Sequence, residues 1–402
     1  MFRALCCLPL LLFADGPAPD GSARLTLLSG EIRRGVRLVS LDENRLKVVV
    51  AGGATEDVEV PSVVSIVFPS GPGPAPLPEP SVVDLLLRGG DVVRGSILPA
   101  GPEKIGLRSE LLGDLSFPVD EVAQVRFTRA FDEVEDKPVY AEAERDRDVF
   151  VYRNLDRLTG TFLEIAAGQV LVHGRIGDRH PISFENLLAI RFADAPEEAP
   201  AEGRRFTLLL SDGGRISAVR ATIRSDLVLA TTRRGEALKI RVADLRALWQ
   251  TGGRFTFLSD RAPDGETFVP WLGEKYAWDR PRVDRSVIDR PLSAGGQTFE
   301  KGIGVLSGTS LTFALDGSWS TFTARVALDD ASGPEGDVVF EVLLDGQSKW
   351  RSDTRKRLAP GEEPLRIPPV PLGAAKALTL KVDWVDDFVT DFADWIEPML
   401  VR

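Results

Sequence analysis

The sequence predicts an all-β protein in which four small β-barrel-like repeats precede a C-terminal β-sandwich of the jelly-roll type. Short segments alternate apolar and polar residues at the period of a strand, and residues typical of turns bound them. One such pattern also recurs four times along the first 250 residues. No cysteine follows Cys7, so burial of apolar side chains, and not disulfides, has to hold each domain together.

Each repeat opens with a run of apolar residues before a turn, and it closes with a second apolar run that ends in an aromatic residue. The openings begin at Leu25, Leu85, Val151 and Leu208. A small residue follows each opening, and the closing aromatic comes 33, 32, 32 or 31 residues later. These pairs are Gly35 and Phe68, Gly95 and Phe127, Gly160 and Phe192, and Ala218 and Trp249. The near-constant interval indicates copies of one unit.

The strand pattern predicts a five-stranded antiparallel meander in each copy. A sheet of this size buries little when flat, whereas closure into a barrel removes exposed edges and encloses one apolar centre. The small residue then fits a strand bend, where a Cβ atom would crowd the crossing strand. In strand pattern and glycine spacing the unit resembles Sm-like or SH3-like small barrels.

Linkers rich in proline, acidic residues or glycine separate these units. The predicted organisation begins with a signal peptide at residues 1–14. Four repeats follow at residues 23–68, 82–128, 148–193 and 204–250, and the C-terminal module covers residues 252–402.

The C-terminal region contains four ordered blocks with a family resemblance. They are Gly295 to Val305, Phe322 to Asp330, Val339 to Gly346, and Asp391 to Trp395. Together they resemble the NPCBM module, a carbohydrate-binding module found beside family 98 glycoside hydrolases. The resemblance implies a secreted β-sandwich that holds glycans and performs no chemistry of its own.

One position departs from the pattern of that family. The family usually has a His two residues after the second Gly of the Gly-Ile-Gly block, and this chain has Leu306 there. If the His serves ligand binding, its replacement puts binding in doubt. If it is a buried structural group, Leu306 extends the core.

The N-terminus is typical of an export signal. Arg3 precedes an apolar run from Ala4 to Phe13, which suits a signal peptide and is too short to span a membrane. Cleavage after Ala14 is expected, and no later segment has the apolar length of a membrane anchor. The mature chain is therefore expected to be secreted, periplasmic or held in the cell envelope.

The charge of the chain argues against nucleic acid as a partner. Its net charge is −11, whereas binding to nucleic acid or an anionic membrane needs clustered Lys and Arg. The repeats also differ, since residues 205–249 carry nine basic and four acidic side chains while residues 24–68 carry six of each. A shared nucleic-acid role would make the copies alike.

The sequence contains no recognisable catalytic motif, and we expect no enzyme activity and no cofactor. The two histidines, His173 and His180, have no cysteine or carboxylate cluster at ligand spacing. An acidic run between Trp384 and Trp395 includes Asp391 and Asp394, but it lacks the spacing of a calcium loop. Turn and capping roles are therefore favoured, and no metal site is predicted.

Aromatic side chains concentrate in the last third of the chain, where six of the seven tryptophans lie. Flat aromatic faces stack on the C–H faces of sugars, and neighbouring polar groups bond the hydroxyls. The predicted carbohydrate-binding residues are Trp271, Tyr276, Trp278, Trp350, Asp391 and Asp394. The alternative for the aromatic residues is packing at the edge of the sandwich.

Two functions compete at this stage. One is an exported glycan-binding protein whose repeats act as spacers or docking units. The other is a structural or interaction protein of the cell envelope, which binds other envelope proteins and recognises no glycan.

Overall fold

The computed structural model describes residues 22–68, 79–128, 144–174, 179–195, 203–270, 280–385 and 390–402. The chain divides into two compact units between Gln250 and Thr251. Strands make up nearly all of the regular structure in both units. The predicted all-β fold class is therefore confirmed. Within the described ranges, no helix has the length and hydropathy needed to cross a membrane.

Within its described residues, the first unit contains 21 strands in four successive sets. The first set is β1 Ala23–Leu27, β2 Ile32–Leu41, β3 Arg45–Val49, β4 Thr55–Glu59 and β5 Val63–Val67. The second set is β6 Val82–Leu87, β7 Val92–Ile97, β8 Lys104–Ser109, β9 Gly113–Pro118 and β10 Val122–Phe127. The third set is β11 Asp148–Tyr152, β12 Arg157–Ala166, β13 Gln169–His173, β14 Arg179–Ser183 and β15 Leu187–Arg191. The fourth set is β16 Arg205–Leu210, β17 Arg215–Ala218, β18 Arg220–Arg224, β19 Leu227–Thr231, β20 Ala237–Arg241 and β21 Leu245–Thr251.

Each set is an antiparallel meander whose last strand returns to pair with its first. In the first repeat β1 pairs with both β2 and β5, and β3 joins β2 to β4. A single 3₁₀ turn precedes every closing strand and swings the chain across the end of the barrel. The four turns are Val60–Ser62, Val119–Glu121, Phe184–Asn186 and Val242–Asp244.

The small residue of each repeat lies where the second strand bends. A Cβ atom on Gly95 would lie 2.4 Å from the carbonyl oxygen of Arg108, and one on Gly160 would lie 2.7 Å from that of His173. Gly35 instead has a φ of +70° and open space around it. Where the fourth repeat has Ala218, the second strand is divided into β17 and β18. The glycine thus permits one continuous bent strand.

The four repeats join in pairs through their closing strands. In the outer pair, β5 of the first repeat lies antiparallel to β21 of the fourth, with Ile66 opposite Leu248. In the inner pair, β10 of the second lies antiparallel to β15 of the third, with Val125 opposite Ile190. These four apolar residues are at most 1% exposed. Closing strands that would be free edges in isolated barrels are thereby covered.

Further pairing connects the repeats away from the closing strands. The second strand β2 of the first repeat pairs with β18 of the fourth, and β7 of the second repeat pairs with β17 of the fourth. The carboxylate of Asp91 accepts a hydrogen bond of 2.9 Å from the Ser217 amide across that last junction. One apolar core runs through all four repeats as a result. The residue boundaries of the separate domains stay a prediction.

The second unit is a sandwich of two antiparallel sheets. The seven-stranded sheet contains β22 Phe255–Phe257, β24 Arg282–Val283, β27 Gly302–Leu306, β29 Thr321–Leu328, β33 Leu365–Arg366, β34 Val370–Pro371 and β36 Phe392–Val401. The six-stranded sheet contains β23 Gly265–Phe268, β28 Thr309–Ala314, β30 Asp337–Leu344, β31 Gln347–Arg351, β32 Arg355–Lys356 and β35 Ala377–Trp384. A separate hairpin consists of β25 Leu292–Ala294 and β26 Gln297–Phe299.

The core of the sandwich is apolar and includes large aromatic rings. Phe340 of the smaller sheet and Trp395 of the larger sheet are fully buried, with ring centroids 5.2 Å apart in an edge-to-face arrangement. This geometry suits the opposite charges of a ring's edge and face. A 3₁₀ turn at Leu258–Asp260 places Leu258 in the same core.

We predict that Gly160→Ala lowers the free energy of unfolding by about 1–3 kcal/mol, because the added methyl group has no room against β13. Gly101→Ala is the matched control, since a Cβ atom there meets no atom within 4 Å. Urea denaturation of both variants measures the difference. Equal stability of the two variants would show that the bend tolerates a side chain.

Candidate functional site

Three of the sequence blocks that carry the family resemblance meet on the outer face of the seven-stranded sheet. The carboxylate of Asp330 accepts hydrogen bonds of 2.8 Å from the amides of Gly295 and Gly296, one on each oxygen. Asp329 accepts from the Ser293 amide at 2.9 Å and from the Ala331 amide at 2.8 Å. These two carboxylates therefore fix the turn of the β25–β26 hairpin against the end of β29.

Asp394 lies beneath this hairpin and is fully buried. Burial raises the pKa of its carboxyl group well above the ordinary value, and the nearby carboxylates of Asp329 and Asp330 raise it further. Both oxygens of Asp329 already accept hydrogen bonds from backbone amides. The raised pKa favours the protonated form of Asp394.

Asp391 is also fully buried, at the start of β36. One of its carboxylate oxygens accepts a hydrogen bond of 2.9 Å from the Asp337 amide, which anchors the start of β30. The sequence prediction that Asp391 and Asp394 contact a sugar is corrected by this burial, since neither carboxylate is accessible. Both residues hold strands and loops together instead.

The Gly-Ile-Gly block is explained by close packing of the backbone. A Cβ atom on Gly302 would lie 2.6 Å from the Trp395 carbonyl oxygen, and one on Gly304 would lie 2.5 Å from that of Arg285. Next to the block, the ammonium group of Lys301 bonds Asp260 at 2.6 Å and Asp284 at 2.8 Å. The block therefore joins several segments of the larger sheet.

Leu306 occupies the position at which the family usually has a His. It is 3% exposed and lies opposite Phe392 in the pairing of β27 with β36. The side chain is thus buried in the unit. The effect of this substitution on ligand binding stays an open prediction.

One end of the sandwich brings several loops together, and we call it the loop end. It contains the β27–β28 turn at Gly308, the loop from Asp329 to Gly336 and the residues on either side of the β35–β36 connection. The amide of Gly308 donates to the Val382 carbonyl at 2.7 Å, and the Val269 amide donates to the Gly308 carbonyl at 3.0 Å. Thr390 lies against Gly333 of the neighbouring loop.

The loop end presents apolar side chains to solvent. Val269 is 59% exposed and Val385 is 39% exposed. The half-buried Trp384 lies beside Gly308, where a Cβ atom would come within 2.6 Å of the indole ring. Gly308 has a φ of +86°, so the turn both requires a glycine and leaves room for the ring.

Three side-chain hydroxyl groups without hydrogen-bond partners in the described ranges also lie at the loop end. The side-chain oxygens of Ser307, Thr309 and Thr390 are buried, and each has no hydrogen-bond partner within the described ranges. A buried hydroxyl without a partner costs free energy, which is recovered when a polar group approaches it. Apolar side chains and unsatisfied hydroxyls therefore adjoin each other at the loop end.

The predicted aromatic residues do not form one site in the described structure. Trp271, Tyr276 and Trp278 lie outside the described residues, and their assignment stays a prediction. Trp350 lies near the end of β31, opposite Val342, and packs half-buried against the core at the edge of the sheet. It is therefore separate from the loop end.

Sequence reasoning named Trp384 only as a residue beside the acidic run, and it missed Val269 and Val385. No sequence signal marked these three residues, because Gly308, which contacts Val269 and Trp384, is distant from both in sequence. Within the acidic run, Asp383 pairs with Lys381 at 2.8 Å, and Asp386 and Asp387 lie outside the described residues. The described part of the chain contains no group of His, Cys, Asp or Glu arranged to hold a metal ion.

The two histidines lie in the first unit on neighbouring strands, with Val172 opposite His180 and His173 opposite Arg179. Both imidazoles are exposed.

We predict that Asp394→Asn makes the protein less sensitive to rising pH. The pKa of Asp394 is raised in the folded state, so its contribution to stability is complete below the unfolded pKa of about 3.9 and is lost as pH rises through the folded pKa. Urea denaturation between pH 4 and pH 8 should show Asp394→Asn gaining stability relative to the wild type as pH increases. Asp329→Asn should be destabilising, because an amide replaces a carboxylate that accepts from fixed donors. A pH-independent difference between wild type and Asp394→Asn would refute the assignment of the proton.

Comparison with known proteins identifies a family in the second unit. Residues 267–401 match the NPCBM/NEW2 domain family. A stretch of 132 residues is 37% identical to a putative endo-alpha-N-acetylgalactosaminidase of Renibacterium salmoninarum, which amounts to 30% of this chain and 8% of the relative. The chain thus spans less than a tenth of the length of that relative.

Solved structures with some likeness include carbohydrate-binding modules of Clostridium perfringens. A CBM51 module from GH95, in complex with methyl-galactose, is 19% identical, with 37% of this chain and 99% of that chain covered and a TM-score of 0.31. A ZmpB structure with CBM51-2 in complex with GlcNAc is 22% identical. The match covers 44% of this chain and 36% of that chain, with a TM-score of 0.32. At these scores the structural likeness adds no argument to the family match. Residues 267–401 of this chain are an NPCBM/NEW2 domain.

Proposed function

We propose that this chain is an exported, non-catalytic protein that binds carbohydrate through the loop end of its NPCBM/NEW2 domain. The observation that carries the proposal is the family match over residues 267–401, because it concerns a binding module. The loop end supports it with a half-buried indole and exposed apolar side chains in one place.

This combination suits the apolar face that a sugar ring presents. The C–H face of a pyranose packs on an aromatic ring or on apolar side chains, here Trp384, Val269 and Val385. Contact on an exposed surface predicts micromolar to millimolar affinity, roughly −4 to −8 kcal/mol.

Replacement of Trp384 by Ala should raise the Kd for glycan at least about tenfold, a loss of about 1.4 kcal/mol. Methyl-galactose and GlcNAc, the ligands named for the related modules, are the first probes, followed by a glycan array. Calorimetry on the full chain measures the change, and the melting temperature checks the fold. Trp384→Phe should retain part of the affinity because it keeps an aromatic face.

Trp319→Ala is the matched control. Trp319 is also a half-buried tryptophan, but it lies before β29 at the opposite end of the sandwich, where Arg402 stacks 4.8 Å from its ring centre. Equal losses of glycan affinity in Trp384→Ala and Trp319→Ala would contradict a binding site at the loop end. A loss confined to Trp278→Ala would place it on the predicted platform of Trp271, Tyr276 and Trp278.

The second candidate function is that of a structural or interaction protein of the cell envelope. The repeats favour it, because they form an extended set of paired sheets with no assigned ligand. If no glycan binds the full chain on an array, this function replaces the first, and Leu306 becomes the leading reason for the loss of sugar binding.

Export is part of the proposal and has its own test. The expected cleavage after Ala14 makes Asp15 the first residue of the mature protein. N-terminal sequencing of the protein from its native host should therefore begin near Asp15. Recovery of Met1 on protein from the cell fraction would contradict export.

A further inference from the structure

A surface on the fourth repeat is cationic although the chain as a whole has a net charge of −11. Strands β18, β19 and β20 form a three-stranded sheet in which alternate residues point into the core. The other residues face outward, and we call this set the basic face. They are Arg220, Thr222, Arg224, Leu227, Leu229, Thr231, Ala237, Lys239 and Arg241.

The basic face has four cations and no carboxylate on its strands. Arg241 is held by Asp244 at 2.7 Å, and Arg220 is paired with Glu43 at 2.9 Å. Arg224 and Lys239 are exposed, and in the described ranges no carboxylate oxygen lies within 4 Å of either. Their charges are therefore available to a partner.

The strand pairing spaces these charges regularly. Arg224 lies opposite Leu227, which lies opposite Arg241, so the two arginines are two strands apart, or about 10 Å. In the other direction Arg224 lies opposite Ser40 of β2, and Ser40 lies opposite Lys47 of β3. A row of three cations about 10 Å apart, Arg241, Arg224 and Lys47, thus crosses from the fourth repeat into the first, where Asp57 of β4 lies opposite Lys47.

Between the cations lie groups suited to sugar rings. Leu229 is 39% exposed and is flanked on neighbouring strands by Thr222 and Lys239. An apolar side chain contacts the C–H face of a pyranose, the threonine hydroxyl bonds sugar hydroxyls, and the lysine pairs with an anionic group. The basic face carries no aromatic residue, so it lacks the stacking surface that single-stranded nucleic acids use.

We propose that the basic face binds an acidic polysaccharide, whose regularly spaced carboxylates pair with Arg224, Lys239 and the cations beside them. A stiff polyanion contacts several separated cations at once, so weak exposed pairs add through multivalency. The site is independent of the loop end and of the function proposed for the NPCBM/NEW2 domain.

The test uses the full chain and immobilised polygalacturonate in biolayer interferometry. The double variant Arg224→Glu/Lys239→Glu should lose at least tenfold in affinity at 50 mM NaCl. Wild-type binding should weaken further at 300 mM NaCl, because salt screens exposed charges. Fully methyl-esterified polygalacturonate should not bind, since it has the same backbone without the charges.

The matched control is Lys104→Glu/Arg179→Glu, which makes the same charge change at exposed strand positions of the second and third repeats. It should change the affinity less than twofold. Equal losses in both double variants would overturn the proposal by showing an effect of total charge. Tighter binding of polyglutamate than of polygalacturonate would overturn it in favour of an acidic protein partner. Trp384→Ala should leave polygalacturonate binding unchanged, which separates this site from the loop end.

Discussion

The structure of the first unit depends on the pairing of closing strands between repeats. A five-stranded meander of about 45 residues buries too little to be secure alone, and its closing strand is a free edge. Antiparallel pairing of β5 with β21, and of β10 with β15, covers these edges and merges small apolar centres into one core. Because no cysteine follows Cys7, no disulfide substitutes for this burial. The outward-facing row of cations on β18 and its neighbours crosses between repeats through a separate pairing, that of β18 with β2.

In the second unit, carboxylates hold separate segments of the chain together. Asp329 and Asp330 fix the β25–β26 hairpin through backbone amides, and Asp391 anchors β30. Burial raises the pKa of Asp394 beneath the hairpin. A buried polar group is tolerated in the interior only when it is hydrogen-bonded or neutral. The sequence blocks that identify the family therefore hold the sandwich together, and the proposed ligand surface lies at one end of it.

Much of the fold was predictable because it rests on local periodicity. Alternation at the strand period predicted the all-β class. The near-constant interval between small residue and closing aromatic, as from Gly160 to Phe192, predicted the four repeats. The crowding at Gly95 and Gly160 was also expected from barrel geometry. The candidate binding site was less predictable, because the same residue type occurs both in the core and on the surface. Asp391 and Asp394 look like surface acids in sequence, yet both are fully buried, and Trp350 packs against the core.

The sequence by itself determined the secondary structure, the repeat number and the family of residues 267–401, because these depend on spacing along one chain. Tertiary structure alone decided which repeats pair, which carboxylates are buried, and that Val269, Trp384 and Val385 share one end of the sandwich. Burial and neighbourhood are set by contacts between residues far apart in sequence. A pattern read along a single strand indicates which face of that strand is apolar, but not what will cover it.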